Sequence, residues 1–165
     1  MKEIVDILIS NNNTISTMES CTGGGVSNAI TNIEGSSSIF KFGAVTYSNE
    51  YKIKMGVNSD IIDEYSVYSM ETANEMSKKI SDFTISDYGI GITGKINRID
   101  NNNLFGEDNR VFISIYDRNM NKFYNSEVIT TDGSRSYNKD IIINNVIEML
   151  LGILVLCQIM GENQK

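Results

Sequence analysis

The chain has 165 residues, 41% of them hydrophobic, which is enough for one domain with a substantial core. Its formal net charge of −7 argues against non-specific binding to nucleic acid or to an anionic membrane surface. It contains no histidine, so Ser-His-Asp catalysis, Cys-His catalysis and histidine-ligated metal sites are excluded, and any general base must be Lys, Tyr, Asp or Glu.

The two cysteines and the first residues bear on the cellular compartment. Cys21 and Cys157 lie far apart in the sequence and have no paired spacing, so we expect neither a disulfide framework nor a zinc site. The chain begins with an early acid and no long apolar run, which differs from a secretory leader. We therefore predict a cytoplasmic protein that needs no metal or cofactor.

Hydrophobic periodicity predicts alternating helices and strands along the chain. The predicted helices cover residues 3–11, 24–32, 49–55, 60–65, 69–83 and 140 onward. The predicted strands cover residues 14–18, 42–48, 87–93, 110–116 and 122–130, and an Asn-rich loop covers 97–109. This order predicts a single-domain α/β sandwich in which helices pack on a mixed, largely parallel β-sheet, with its core between about residues 3 and 152.

The last helix is the most apolar segment of the chain. Its only uninterrupted apolar run, 149–157, is well below the roughly 18 residues of a membrane-spanning helix, so we predict a buried terminal helix and no membrane association. Residues 154–160 could carry more apolar surface than one core can bury. Exposed apolar surface of this kind often marks a subunit interface, and we expect a homo-oligomer.

The first candidate site is the turn that joins the strand 14–18 to the following helix. Gly23, Gly24 and Gly25 let the backbone approach a ligand closely, and free amides at the helix start could hold an anion or an oxyanion. Ser20 and Thr22 lie at the edge of this turn. The alternative is an ordinary strand-to-helix turn in which Ser and Thr only cap the helix.

The second candidate site is the junction between the strand 42–48 and the next helix, where Lys52 follows Tyr47. Adjacent parallel strands would bring both junctions to one edge of the sheet, where open α/β sheets bind ligands. Lys52 could then activate Ser20 as a general base, provided that burial or a neighbouring cation lowers its pKa from about 10.4 toward neutrality. The alternative is a solvent-exposed helix lysine.

These motifs occur in an order that resembles a known family. The motifs are Glu19-Ser-Cys-Thr-Gly-Gly24, Gly35-Ser-Ser37, Val45-Thr-Tyr-Ser-Asn49 with Lys52, and Ile92-Thr-Gly94. Together they resemble the CinA C-terminal domain, the nicotinamide-nucleotide amidase family, from about residue 3 to about residue 152.

The resemblance implies a metal-free amidohydrolase that converts nicotinamide mononucleotide to nicotinate mononucleotide and ammonia. Ser20 matches the family's nucleophile, Lys52 its general base, and Tyr47 the tyrosine beside them. We expect amides near Gly23 and Gly24 to hold the oxyanion. The other expected substrate contacts are Thr22, Ser36, Ser37, Thr93 and Arg135, with Arg135 and the two serines on the phosphate.

The sequence departs from the family pattern after Thr93. Bulky and charged residues, among them Lys95 and Arg98, stand where the family has a loop rich in glycine and proline, and could supply replacement phosphate contacts. Lys139 stands at a position where the family has arginine, and it cannot bind a phosphate in the same bidentate way. A nucleotide-binding or interaction protein without catalytic activity is therefore the alternative. A competence factor that associates with nucleic acid is a third interpretation, against which the acidic balance argues.

Overall fold

The computed structural model describes residues 1–98 and 100–162, without the side chains at 158 and 160–162. The helices of the described chain are α1 (Lys2–Ser10), α2 (Gly25–Thr31), α3 (Asn49–Lys54), α4 (Ser59–Tyr65), α5 (Met70–Thr84) and α6 (Arg135–Glu162). The strands are β1 (Ile15–Glu19), β2 (Phe40–Val45), β3 (Tyr88–Gly94), β4 (Arg110–Asp117) and β5 (Lys122–Ile129), and a short 3-10 helix (Ser36–Ser38) precedes β2.

The strands form one mixed sheet in the order β2-β1-β3-β4-β5. Strand β1 pairs in parallel with β2 and β3, whereas β4 and β5 continue the sheet as an antiparallel hairpin. Every residue of β1 and β3 is buried, as expected for parallel strands that helices cover on both faces. The predicted α/β fold is confirmed.

Helices cover both faces of this sheet. Helices α1, α2 and α6 share one apolar core with the sheet, and α5 packs across β1, β3 and β4 on the other face. Gly89 and Gly91 allow this second contact, since a Cβ on Gly89 would lie 2.0 Å from the Ser77 carbonyl oxygen of α5 and one on Gly91 would lie 2.3 Å from the Ala73 carbonyl oxygen. The small residues of β3 therefore set how closely α5 approaches.

Helix α6 begins at Arg135, five residues before the predicted start. The Ser134 hydroxyl accepts a hydrogen bond from the Tyr137 amide (3.1 Å) and caps the first turn, so the helix starts directly after Ser134.

The middle of α6 is a core helix. An 18-residue stretch within residues 135–157 has a mean hydropathy of 2.0, so this helix is long and apolar enough to cross a membrane by length and composition, and 28% of that stretch is buried within the protein. However, Ile142, Val146 and Leu150 recur at helical spacing and are fully buried in the core shared with the sheet.

The far end of α6 is more exposed. Val155, Leu156 and Ile159 present apolar surface, while the side chain of Met160 lies outside the description. The interface at this end stays a prediction.

Candidate active site

The two predicted junctions meet at one edge of the sheet. Ser20 directly follows β1, and Thr46 and Tyr47 directly follow β2, which is the parallel neighbour of β1. The Thr46 amide donates a hydrogen bond to the Glu19 carbonyl (2.9 Å), which joins the two strand ends. Helix α3 then carries Lys52 back over this edge. The side chains of Ser20 and Lys52 therefore come together although they are 32 residues apart.

The contact between Ser20 and Lys52 is a direct hydrogen bond. Lys52 Nζ donates to Ser20 Oγ over 3.1 Å and to the Thr46 carbonyl over 2.7 Å. Lys52 is only 1% exposed, Ser20 only 5%, and no carboxylate of the described chain forms an ion pair with this lysine. Burial lowers the pKa of Lys52 to about 8, although the Asp100 carboxylate acts to raise it.

The residue next to Ser20, Cys21, carries a thiol that could also act as a nucleophile if it were ionised. Burial raises the pKa of Cys21 to about 12, even though the charges of Arg135, Lys52 and Lys139 act against this. Cys21 is therefore a neutral side chain that packs in the core, and the Ser20 hydroxyl is the group that contacts Lys52.

The glycine turn has a different role from the one the sequence suggests. Gly23 and Gly24 have positive φ (64° and 92°), which glycine adopts at little cost. The Gly23 amide donates to the Ser20 carbonyl (3.0 Å) and so closes the turn. Neither glycine lines the cleft at Ser20, and the Gly23 amide is used within the turn, so Gly23 shapes the turn, while an oxyanion role for Gly24 stays a prediction.

Glu19 occupies the start of α2, where free amides were expected. Its carboxylate accepts hydrogen bonds from the Val26 amide (3.1 Å) and the Ser27 amide (2.8 Å), and also from the hydroxyls of Ser27 (2.7 Å) and Thr22 (2.7 Å). The carboxylate is fully buried. It satisfies the helix start internally, so an external anion has no place there. Glu19 belongs to the motif Glu19-Ser-Cys-Thr-Gly-Gly24, but nothing in the sequence indicates that its side chain caps α2.

A cleft of about 1220 Å³ opens in front of Ser20. Its walls come from the Ser20 turn, from Tyr47 and the start of α3, from Tyr68, from the 95–109 loop and from the start of α6. We use the name 95–109 loop for residues 95–98 and 100–109, which connect β3 to β4. Arg98 lines this cleft, as does the buried Lys95, which pairs with Asp108 over 3.0 Å and so ties the two ends of the loop together.

Two predicted site residues lie at the cleft and contact each other. Tyr47 is 65% exposed, and its hydroxyl accepts a hydrogen bond from Arg135 Nη2 (3.2 Å), while Arg135 Nη1 donates to the Ile96 carbonyl (3.3 Å). Tyr47 thus lies at the rim of the cleft. Its hydroxyl binds Arg135, whereas the two contacts of Lys52 are Ser20 and Thr46.

Four other predicted substrate contacts are placed elsewhere. The Thr22 hydroxyl binds Glu19, and the fully buried Thr93 hydroxyl donates to the Val67 carbonyl (2.8 Å), so neither lines the cleft. Ser36 and Ser37 precede β2. Since the starts of β1 and β2 are aligned (Ile15 with Phe40), these serines lie at the sheet edge opposite Ser20, and the expectation that they contact the substrate phosphate within this chain is wrong.

Comparison with known proteins settles the family. The model of the CinA C-terminal domain matches residues 1–154. This chain belongs to the CinA C-terminal domain family.

Curated relatives match only over part of their length. A Clostridium novyi (strain NT) protein named "Putative competence-damage inducible protein" is 47% identical over 89 residues, which is 53% of this chain and 22% of the relative. A similarly named protein of Alkaliphilus oremlandii is 46% identical over 96 residues, 57% of this chain and 23% of the relative. The matched part of the chain thus spans about a fifth of the length of these relatives.

Solved structures share the fold over nearly the whole chain. A CinA superfamily protein from Klebsiella pneumoniae 700603 superposes with a TM-score of 0.83 at 23% identity, covering 93% of this chain and 94% of that one. The competence/damage inducible protein CihA from Agrobacterium tumefaciens superposes with a TM-score of 0.78 at 26% identity, covering 92% and 93%.

Proposed function

We propose that the protein is a metal-free amidohydrolase that hydrolyses the carboxamide of nicotinamide mononucleotide, with Ser20 as nucleophile and Lys52 as general base. The observation that carries this proposal is the 3.1 Å contact between Lys52 Nζ and Ser20 Oγ at the floor of a large cleft. Membership of the CinA C-terminal domain family supports the choice of substrate.

Burial supplies the neutral amine that this chemistry needs. With the pKa lowered from 10.5 to about 8, roughly a tenth of Lys52 is neutral at pH 7, compared with about one part in 3,000 for an unperturbed lysine. The Thr46 carbonyl accepts one hydrogen of the amine in either protonation state. The lone pair of the neutral amine can then accept the Ser20 proton.

The reaction would proceed through an ester on Ser20. Ser20 Oγ attacks the carboxamide carbon while Lys52 takes the hydroxyl proton, and Lys52 returns this proton to nitrogen as the C–N bond breaks and ammonia leaves. Water then attacks the ester, Lys52 takes a proton from the water and returns it to Ser20, and the carboxylic acid is released. The Cys21 amide, which follows the nucleophile at the cleft, is our candidate oxyanion donor.

Cations around the cleft are suited to the phosphate end of the substrate. Arg135 and Arg98 line the cleft. Lys139, four residues after Arg135 on α6, reaches the glycine turn, with its Nζ 3.2 Å from the position of a Cβ on Gly23. We propose Arg135 and Arg98 as the phosphate contacts, with Lys139 adding positive charge behind the nucleophile.

Ammonia release by the purified protein tests the substrate. We expect ammonia and nicotinate mononucleotide to form in equal amounts from nicotinamide mononucleotide, and turnover of free nicotinamide to be at least about 100-fold slower because it lacks the ribose phosphate. If the wild-type protein binds the nucleotide in calorimetry but releases no ammonia, the amidase proposal fails. The protein would then be a nucleotide-binding protein without catalytic activity, which is the alternative suggested by the unusual sequence of the 95–109 loop.

A further inference from the structure

The carboxylates of the cleft differ in how their charge is balanced. Glu50 pairs with Lys54 over 2.5 Å, and Asp108, at the end of the 95–109 loop, pairs with Lys95. Asp100 and Asp132 also line the cleft, and within the described part of the chain neither forms an ion pair. Among the described residues, these two cleft carboxylates therefore have no salt bridge, although Arg98 and Arg135 line the same cleft.

Asp100 differs from Asp132 because neutral donors hold it in place. Its Oδ2 accepts from the Tyr68 hydroxyl (2.5 Å) and from Asn103 Nδ2 (2.8 Å), and its Oδ1 accepts from the Asn102 amide (2.9 Å). Burial acts to raise the pKa of Asp100, but these hydrogen bonds outweigh it and hold the pKa below its usual range. Asp100 is thus an oriented, ionised carboxylate with no salt bridge among the described residues, although the charge of Lys95 also acts to lower its pKa.

The position of Asp100 is fixed relative to the catalytic pair. Asn103, which donates to Asp100, accepts a hydrogen bond from Asn49 Nδ2 (2.8 Å), and Asn49 is the first residue of α3, the helix that carries Lys52. The negative charge of Asp100 is close enough to Lys52 to act on its protonation. Ser20 and Asp100 line the same cleft, so a ring attached to a carboxamide carbon at Ser20 would share that cleft with the Asp100 carboxylate.

We infer that Asp100 is a specificity-determining residue that favours amides attached to a positively charged ring over amides on a neutral ring. This inference rests on the proposed function and names the substrate feature that the site selects. In nicotinamide mononucleotide the pyridinium nitrogen lies in the ring that carries the carboxamide. The Tyr68 ring lies in the same wall of the cleft, where Lys95 Nζ is 5.3 Å from its centre, and Arg98 and Arg135 supply the opposite charge for the phosphate.

Calorimetry on the Ser20→Ala protein tests this selection without hydrolysis. The two ligands are nicotinamide mononucleotide, whose ring is cationic, and its reduced form, a neutral dihydropyridine with the same carboxamide and phosphate. At pH 7 we expect the cationic form to bind at least about tenfold more tightly. In a Ser20→Ala, Asp100→Asn protein this preference should fall to about threefold or less.

Matched variants separate the role of Asp100 from an effect of net charge or folding. Asp132→Asn removes a charge at the same cleft and should leave the preference within about twofold, and Asp100→Glu should retain most of it. Asp100→Ser serves as a second neutral variant if the Asn variant does not fold by circular dichroism. An unchanged preference in both neutral variants, an equal loss in Asp132→Asn, or no binding of the cationic form would overturn the inference.

This test does not depend on the outcome of the ammonia assay. If the wild-type protein releases no ammonia but the preference depends on Asp100, the amidase proposal fails and the assignment of Asp100 stands. If ammonia is released but binding shows no preference for the cationic ring, the assignment fails and the amidase proposal stands.

Discussion

At the residue scale, the decisive feature is a buried lysine whose contacts are neutral oxygens. Lys52 is hydrogen-bonded to a hydroxyl and a carbonyl, and burial makes its charged form unfavourable. A solvent-exposed helix lysine would have the ordinary pKa and would rarely be neutral at pH 7. The protonation of this one side chain should therefore control how activity depends on pH.

We predict that kcat/KM for nicotinamide mononucleotide rises with pH and levels off above an inflection near pH 8. The active form is the neutral amine, so the rate should fall about tenfold for each pH unit below the inflection. Asp100→Asn should move the inflection to lower pH, because the Asp100 carboxylate stabilises the ammonium. A profile that is flat between pH 6 and 9, measured by ammonia release, would contradict the role of Lys52.

The sequence was sufficient to predict that Ser20 and Lys52 lie together, but it was not sufficient to predict which residues surround them. Ser20 and Lys52 lie in short motifs at strand ends, and parallel neighbouring strands bring such ends together. Glu19, Thr46 and Asp100 were not predicted. Glu19 acts through amides seven and eight residues away, Thr46 acts through its carbonyl, and Asp100 lies in an irregular loop, so none has a periodic signal in the sequence.

At the element scale, the most exacting contact is that of α5 with β3. The sequence shows β3 as an apolar strand with Gly89 and Gly91 in its middle and α5 as an amphipathic helix, but it does not show that the helix backbone lies directly over these two glycines. In the structure the Ser77 and Ala73 carbonyls occupy the space where side chains on Gly89 and Gly91 would be. Packing in three dimensions therefore determines why these positions are glycine.

We predict opposite effects for two glycine substitutions. Gly89→Ala should lower the free energy of unfolding by about 3 kcal/mol or more, because its Cβ would lie 2.0 Å from the backbone oxygen of Ser77. Gly152→Ala is the control. No atom lies within 4 Å of its Cβ position in α6, so the better helix former should stabilise the protein by up to about 1 kcal/mol. Urea denaturation measures both, and a loss of stability in Gly152→Ala equal to that in Gly89→Ala would contradict this account of the packing.

The least accurate predictions concern segments whose composition is typical of a turn but which lie at the start of a helix or inside a structured loop. The segment Asp132-Gly-Ser-Arg135 has the composition of a turn, yet Ser134 caps α6 and the helix starts immediately after it. This start brings Arg135 to the cleft. The internal geometry of the 95–109 loop could not be predicted, because it depends on contacts between side chains far apart in sequence, such as Asn49 with Asn103.

At the scale of the whole molecule, the fold brings Ser20, Lys52 and the mixed charges of the cleft to the ends of two neighbouring parallel strands. The topology explains why residues before and after β2 are placed differently. Ser36 and Ser37 lie at the amino ends of the parallel strands, whereas Tyr47 lies at their carboxyl ends, next to the cleft. Family membership and the α/β architecture follow from comparison and structure together. Cytoplasmic localisation and self-association stay predictions.

The central claim is that Ser20 forms a covalent ester with the substrate, and covalent trapping tests it most directly. The measurement is peptide mass spectrometry after rapid acid quenching of the protein with nicotinamide mononucleotide, together with ammonia release by Ser20→Ala. We predict an adduct equal to the substrate minus ammonia on the peptide that contains Ser20, and a rate about 10⁴-fold lower in Ser20→Ala. Ammonia release by Ser20→Ala at the wild-type rate would contradict the account.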